Sequence, residues 1–321
     1  MPSIKISILY ALSCWVNIIF AAPSGIDTVN HFKEMRKGIS ANNAFINPLL
    51  DCYELDHSNL KNMRRMQKLV ESKIAGAIAE NKATSISVYY RDLKNGHWLG
   101  VKENEKYSPA SLLKLPALIA ALKQAEENPE YLHMRLYCEA TKNDYSQNVD
   151  GKKFSLEVGK TYSIEELLEY MIVYSDNQSA AMVLSSIAPE FLSHVFSDLG
   201  IDILNKDVNT NILSVREYAS YYRILYNATY LNKAMSNKAL EILCKSKFKL
   251  GIVAGIPEGT VVAHKFGERG YANSNEKQFH DTGIIYKPNQ PFLLCVMVKG
   301  TSFQVMEKVV ADITHALYHF K

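Results

Sequence analysis

The sequence predicts an α/β fold in which an antiparallel sheet flanked by helices is interrupted by an inserted all-helical lobe. Three observations carry this reading. Strand-like runs joined by a hairpin turn occupy residues 85–101, and strand-like runs return after residue 250. Between them, residues 108–245 switch to apolar spacings of three and four. No internal repeat or long linker separates these blocks, so they form one discontinuous unit.

Each element has its own signal. Leu60, Met63, Met66, Leu69, Val70, Ile74 and Ile78 recur at helical spacing and predict a helix over 60–79. Residues 85–90 alternate as a strand, Lys94-Asn95-Gly96 is a hairpin turn, and 97–101 is the returning strand. Helical periods follow over 112–125, 164–173, 179–187 and 215–225. Strands are then predicted at 261–263, 283–286 and 292–298, the last two separated by Pro288-Asn289-Gln290-Pro291. A helix over 305–320 closes the chain. The predicted boundaries are a leader segment at 23–65 and a domain at 66–321, with a sheet lobe of 66–107 plus 246–321 and a helical lobe of 108–245.

Composition narrows the function classes. Of 321 residues, 47% are hydrophobic and 21% charged, which excludes disordered, collagen-like and low-complexity chains. Lys plus Arg number 36 against 33 Asp plus Glu, a net charge of +3 with no basic stripe for nucleic acid. Lys5 precedes a short apolar run, 6–22, broken only by Ser7, Ser13 and Asn17. This is the pattern of a secretory signal over 1–22, and it predicts export to the periplasm or the exterior. The run falls short of the ~20 residues of a membrane span, so no spanning segment is expected once the signal is removed. Cleavage after Ala22 would leave Pro23 first and put Phe20 where a small residue is preferred.

Cys14 lies in the signal, leaving Cys52, Cys138, Cys244 and Cys295. Four cysteines in an oxidising compartment permit a disulfide, with three full pairings open. Cys295, inside the apolar run 292–298, suits core packing. No CxxC or HExxH occurs, and no metal or other cofactor is predicted; His315 and His319, four apart, read as a chance pair on a surface helix.

The chemically informative segment is Tyr107-Ser108-Pro109-Ala110-Ser111-Leu112-Leu113-Lys114-Leu115-Pro116. Ser108 reads as an N-cap with Pro109 at the first helical position. Ser111 then lies in the first turn, where helix polarity favours a developing alkoxide, with Lys114 on the same face. A desolvated, neutral lysine there would accept the serine proton. Pro116 removes a helical hydrogen bond in the next turn without an evident stability reason. The Ser-x-x-Lys spacing occurs four times, but only at Ser111 does it open a long apolar helix directly after a strand hairpin.

Two further elements follow in order. Tyr174-Ser175-Asp176-Asn177 joins two predicted helices, either as a polar connection with a cap or as a proton relay with a substrate-binding amide. His264-Lys265-Phe266-Gly267 follows the strand at 261–263, either as an exposed strand end or as a cation at the cleft.

Taken together, the three resemble the Ser-x-x-Lys, Ser-Asp-Asn and Lys-Thr-Gly signature of class A β-lactamases and penicillin-binding proteins. The resemblance extends from about residue 66 to 321. It implies Ser111 as the acylated nucleophile, Lys114 as its activator and Ser175 as the proton relay. Asn177 would bind a substrate amide and Lys265 a substrate carboxylate. The backbone N–H groups of Ser111 and Glu268 would form the oxyanion hole, and Gly267 would let the substrate backbone approach the strand. The implied protein is an exported serine hydrolase that opens β-lactam amide bonds. The alternatives are a D-alanyl-D-alanine peptidase or esterase-like enzyme, and a binding module that captures its ligand without turnover. The implied partner is a small β-lactam or a peptidoglycan stem peptide.

Two departures stand out. Phe266 replaces a hydroxyl residue that helps hold the substrate carboxylate, leaving Arg269 as a compensating charge. No glutamate between the second and third motifs has an asparagine four residues later; Glu190, Glu217, Glu241 and Glu258 all lack it. Asp207, with Asn211, has the spacing with a different acid. His280-Asp281 adds a possible hydrogen-bonding pair near the cleft.

Overall fold

The computed structural model describes residues 44–47, 57–139, 148–149, 152–201 and 210–321. The predicted signal, Cys52 and Asp207 lie outside these residues. In chain order, the first elements are helix α1 (His57–Ala79), strands β1 (Ser85–Asp92) and β2 (Trp98–Val101), and a 3₁₀ turn, Ala110–Leu113. Helix α2 (Lys114–Glu127) continues from that turn. Strands β3 (Arg135–Tyr137), β4 (Asn148–Val149), β5 (Lys152–Lys153) and β6 (Thr161–Ser163) precede helices α3 (Ile164–Val173), α4 (Asn177–Ser185) and α5 (Pro189–Asp198). Helices α6 (Val215–Tyr226) and α7 (Lys233–Cys244) lead to β7 (Val262–Tyr271), β8 (Ser274–Ile285) and β9 (Phe292–Gly300). Helix α8 (Phe303–Tyr318) ends the order.

Five strands form one antiparallel sheet in the order β2-β1-β9-β8-β7, so the two ends of the domain share it. Period-two alternation explains the layers. Tyr89, Leu293, Cys295 and Met297 enter one apolar core with α2, α3, α6 and α7. Ile86, Val88, Leu294, Val296 and Val298 enter a second with Met66, Val70 and Ile74 of α1 and Val309, Val310 and Ile313 of α8. Strand β9 is covered on both faces, which is why its sequence is an unbroken apolar run.

The inserted lobe is mainly helical but also holds two short antiparallel ladders, β3 with β6 and β4 with β5. Helices α3 and α6 both start with capping boxes, Ser163 with Glu166 and Ser214 with Glu217. Cys138, Cys244 and Cys295 are free thiols. Among the described residues no single helix is long and apolar enough to cross a membrane.

The structure corrects the extent of two strands. β7 runs through the third motif instead of stopping at Ala263, and β8 begins nine residues before Gly283. Lys265 and His280 are polar residues inside fully buried stretches, so their side chains masked the alternation.

Candidate active site

The turn before α2 does not have the predicted cap. Ser108 makes no side-chain cap; its hydroxyl is buried without a hydrogen-bond partner. The turn is held instead through the Ser108 backbone. Its N–H donates to Gln278 Oε1 at 3.0 Å, and its carbonyl lies 2.9 Å from His280 Nε2. A carbonyl only accepts, so Nε2 carries the imidazole proton. Burial pushes the His280 pKa down to about 4, keeping the ring neutral. Ala110 then takes a left-handed φ of 47°, unusual for a residue with a Cβ. That reversal carries the chain into the 3₁₀ turn holding Ser111.

Pro116 also has a compensation that the sequence did not suggest. It lies in the first turn of α2. The carbonyl four residues earlier, that of Leu112, accepts the Tyr218 hydroxyl of α6 at 3.0 Å. Tyr222, one turn on, donates to the Thr282 carbonyl of β8 at 2.8 Å. Helix α6 thereby ties the Ser111 turn to the sheet.

The three motifs converge on two buried lysines. Lys114 Nζ lies 2.9 Å from Ser111 Oγ, 2.6 Å from Asn177 Oδ1, 2.9 Å from the Ser175 carbonyl and 3.3 Å from Ser175 Oγ. Lys265 Nζ reaches the same Ser175 hydroxyl at 2.9 Å and the Phe266 carbonyl at 2.9 Å. Ser175 therefore bridges both amines. Burial lowers the Lys114 pKa to about 7, with the Asp176 charge opposing the shift. Lys265 is pushed well down by burial and then by the neighbouring Lys114 charge. Two cations this close are not both held in a dry site, so one amine is available as a base near neutral pH.

Local structure explains how Ser175 reaches between them. It has a φ of 56°, a left-handed conformation, where α3 hands over to α4. Asp176 next caps α4, accepting from the Ser179 N–H at 2.6 Å and the Ser179 hydroxyl at 2.5 Å. The polar-connection reading of Ser-Asp-Asn and the site reading thus both apply, to different residues. Asp176 caps while Ser175 and Asn177 meet Lys114.

Strand β7 supplies the opposite wall. Lys265 is fully buried rather than the surface lysine of an exposed strand end. A Cβ on Gly267 would come within 3.3 Å of Leu112 Cγ and 3.4 Å of the Pro109 carbonyl oxygen. The glycine therefore lets β7 pack closely against the Ser111 turn. Phe266 belongs to the core on the other face, stacked on Phe248 with centroids 3.9 Å apart, and its ring stands 4.3 Å from Lys265 Nζ. Glu268 is half-buried; burial, aided by Glu307, raises its pKa to about 7.

The other predicted residues divide. His280 and Asp281 are not a pair: adjacent strand residues face opposite sides. His280 holds Ser108, whereas Asp281 meets His264 Nδ1 at 2.9 Å and accepts from the Ile252 N–H at 2.8 Å. Arg269 stacks its guanidinium over Tyr271 at 5.4 Å. The residues that sequence reasoning missed are Gln278, Tyr218 and Tyr222. Only the i, i+4 tyrosine pair on α6 offered a local signal.

Comparison with known proteins fits this geometry. The profile of the β-lactamase enzyme family matches residues 68–320. The chain is 25% identical to β-lactamase VEB-1 of Pseudomonas aeruginosa over 264 residues, covering 75% of this chain and 86% of that one. It is 23% identical to extended-spectrum β-lactamase PER-1 of the same organism, covering 79% and 87%. Among solved structures, TLA-1 extended-spectrum β-lactamase superposes with a TM-score of 0.67 at 20% identity, covering 79% of this chain and 98% of that one. A mutant of PBP-A, solved as its penicillin G acyl-enzyme, superposes with a TM-score of 0.64 at 22% identity, covering 78% and 95%.

Proposed function

The chain belongs to the β-lactamase enzyme family, and on that premise we propose that it is an exported serine hydrolase acting through an acyl-enzyme on Ser111, with β-lactam amides as substrates. The observation that carries this is the 2.9 Å contact between Ser111 Oγ and a buried lysine whose pKa lies near 7. Export rests on Lys5 and the apolar run 6–22.

The proposed chemistry needs only groups of this chain. Neutral Lys114 takes the Ser111 hydroxyl proton as Oγ attacks the lactam carbonyl carbon. The developing oxyanion is held by the backbone N–H groups of Ser111 and Glu268. When the carbon–nitrogen bond breaks, the leaving nitrogen takes the Ser175 hydroxyl proton, and the newly protonated Lys114 replenishes it. The third Lys265 donor meets the substrate carboxylate, whose charge raises the lowered lysine pKa on binding. Asn177 has its Oδ1 on Lys114, so its substrate contact is made through the Nδ2 amide.

One observation favours a slower second half-reaction. Glu190 sits in the first turn of α5, Glu217 closes the α6 capping box, Glu241 accepts from Asn237 at 2.5 Å, and Glu258 is exposed. Glu217 and Glu241 are thus engaged elsewhere, and Asp207 lies outside the described residues. The second reading is accordingly a D-alanyl-D-alanine peptidase, or a protein that captures β-lactams or wall peptides. Incubation with a fluorescent penicillin and a chromogenic cephalosporin separates the two. Multiple turnover that disappears in Ser111→Ala supports the hydrolase; a stable stoichiometric adduct supports the second reading; neither adduct nor turnover refutes both.

A further inference from the structure

The edge of the sheet away from Ser111 carries a groove that the chemistry above does not use. Strand β2 ends the sheet opposite β7, four strand spacings or about 19 Å away. It presents Trp98, which is 43% exposed. The indole stacks on Tyr89 at 5.6 Å, with 17° between the planes, and the Arg216 guanidinium lies 5.1 Å from its ring centroid. On α6, Arg216, Ser220 and Arg223 fall at i, i+4 and i+7 and share one side of the helix. All three line the groove with Trp98, and its volume is about 450 Å³.

Charge in the groove is unbalanced. Arg216 and Arg223 line the groove with a single carboxylate, Glu217. That carboxylate is already engaged by Lys106 and by the N–H and hydroxyl of Ser214. Neither Arg216 nor Arg223 has a carboxylate partner among the described residues, and Arg223 Nε is buried without a hydrogen-bond partner. A guanidinium without a carboxylate partner is free to pair with an oxyanion that enters the groove. The near-neutral total charge of the chain conceals this local excess.

We infer that this groove binds an oxyanion, phosphate or carboxylate, carried by a ligand whose flat apolar part rests on the exposed edge of Trp98. The forked donors of Arg216 and Arg223 match such a group, and the aromatic stack supplies the apolar surface. The site is independent of the Ser111 chemistry and stands or falls separately from it.

Trp98 is also the reporter. The chain has two tryptophans, Trp15 and Trp98, so the full chain with Trp15→Phe has one. Its emission is followed during titration with inorganic pyrophosphate and with citrate, ionic strength being matched with sodium chloride. The expected result is a saturable change with at least one of the two, pyrophosphate indicating a phosphate ligand and citrate a carboxylate. Affinity should weaken at least about tenfold in Arg216→Gln/Arg223→Gln, with the urea midpoint confirming that the double variant is folded. No saturable change with either anion, an equal response to chloride, or undiminished affinity in the folded double variant would overturn the inference.

Discussion

His280 donates its Nε2 proton to the carbonyl oxygen of Ser108 across 2.9 Å, tying β8 to the turn that presents Ser111. With Gln278 on the Ser108 N–H, both backbone groups of one residue are held from a single strand. Replacing His280 with Ala leaves that carbonyl buried and unpaired beside a new cavity. We expect His280→Ala to lose about 2–4 kcal/mol in urea unfolding. The rate of acylation should fall as well, while a His280→Gln variant, which can keep a donor there, recovers part of both.

Lys114 sets the pH dependence. Its pKa is lowered to about 7 by burial, and the neutral amine is the proposed base. Below pH 7 the amine is protonated, so acylation should slow roughly tenfold per pH unit and level off above pH 7–8. Lys114→Arg should abolish the reaction at every pH in this range, because a guanidinium does not release its proton. Acylation rates measured by stopped flow from pH 5 to 9 check both expectations; a pH-independent rate contradicts the assignment.

Ser175 separates strain from chemistry. Its φ of 56° suits glycine better than any residue with a Cβ. Ser175→Gly should therefore be more stable than Ser175→Ala by about 1 kcal/mol, although both lose the hydroxyl between Lys114 and Lys265. Thermal unfolding should rank the two variants apart, and acylation assays should find both strongly impaired. Equal stability would show that the left-handed backbone is not strained.

Tyr218 and Pro116 should compensate each other. Tyr218→Phe strips the Leu112 carbonyl of its donor and should cost about 1–3 kcal/mol. Pro116→Ala restores a backbone N–H that can bond this same carbonyl, four residues back in the helix. A double-mutant cycle on unfolding free energies should give a favourable coupling of about 1 kcal/mol. Strict additivity would mean that the hydroxyl does not substitute for the missing helical bond.

Much of the fold is legible in the sequence because its signals are local. The helix over 164–173, the Asn95-Gly96 hairpin and the two-faced apolar strand at Phe292 each declare their period within a few residues. The Ser111–Lys114 contact is legible for the same reason, being one helical turn long. The parts that were misread depend on distant partners. Ser108 looks like a cap, but its backbone is held by residues 170 and 172 positions away. Lys265 taken alone reads as a surface residue, and only together with the other two motifs as a site residue, because its neighbours, Ser175 and Lys114, come from another lobe. The packing of Gly267 against Leu112 and Pro109 likewise has no local signal.

The central claim is that Ser111 becomes acylated with Lys114 as its base. Intact-mass spectrometry after exposure to benzylpenicillin at pH 7.5, followed by peptide mapping, tests it most directly. The expected result is a single added penicilloyl mass on the peptide carrying Ser111, absent in Ser111→Ala and strongly slowed in Lys114→Ala. An adduct that persists in Ser111→Ala, or one that forms as fast without Lys114, would contradict the account.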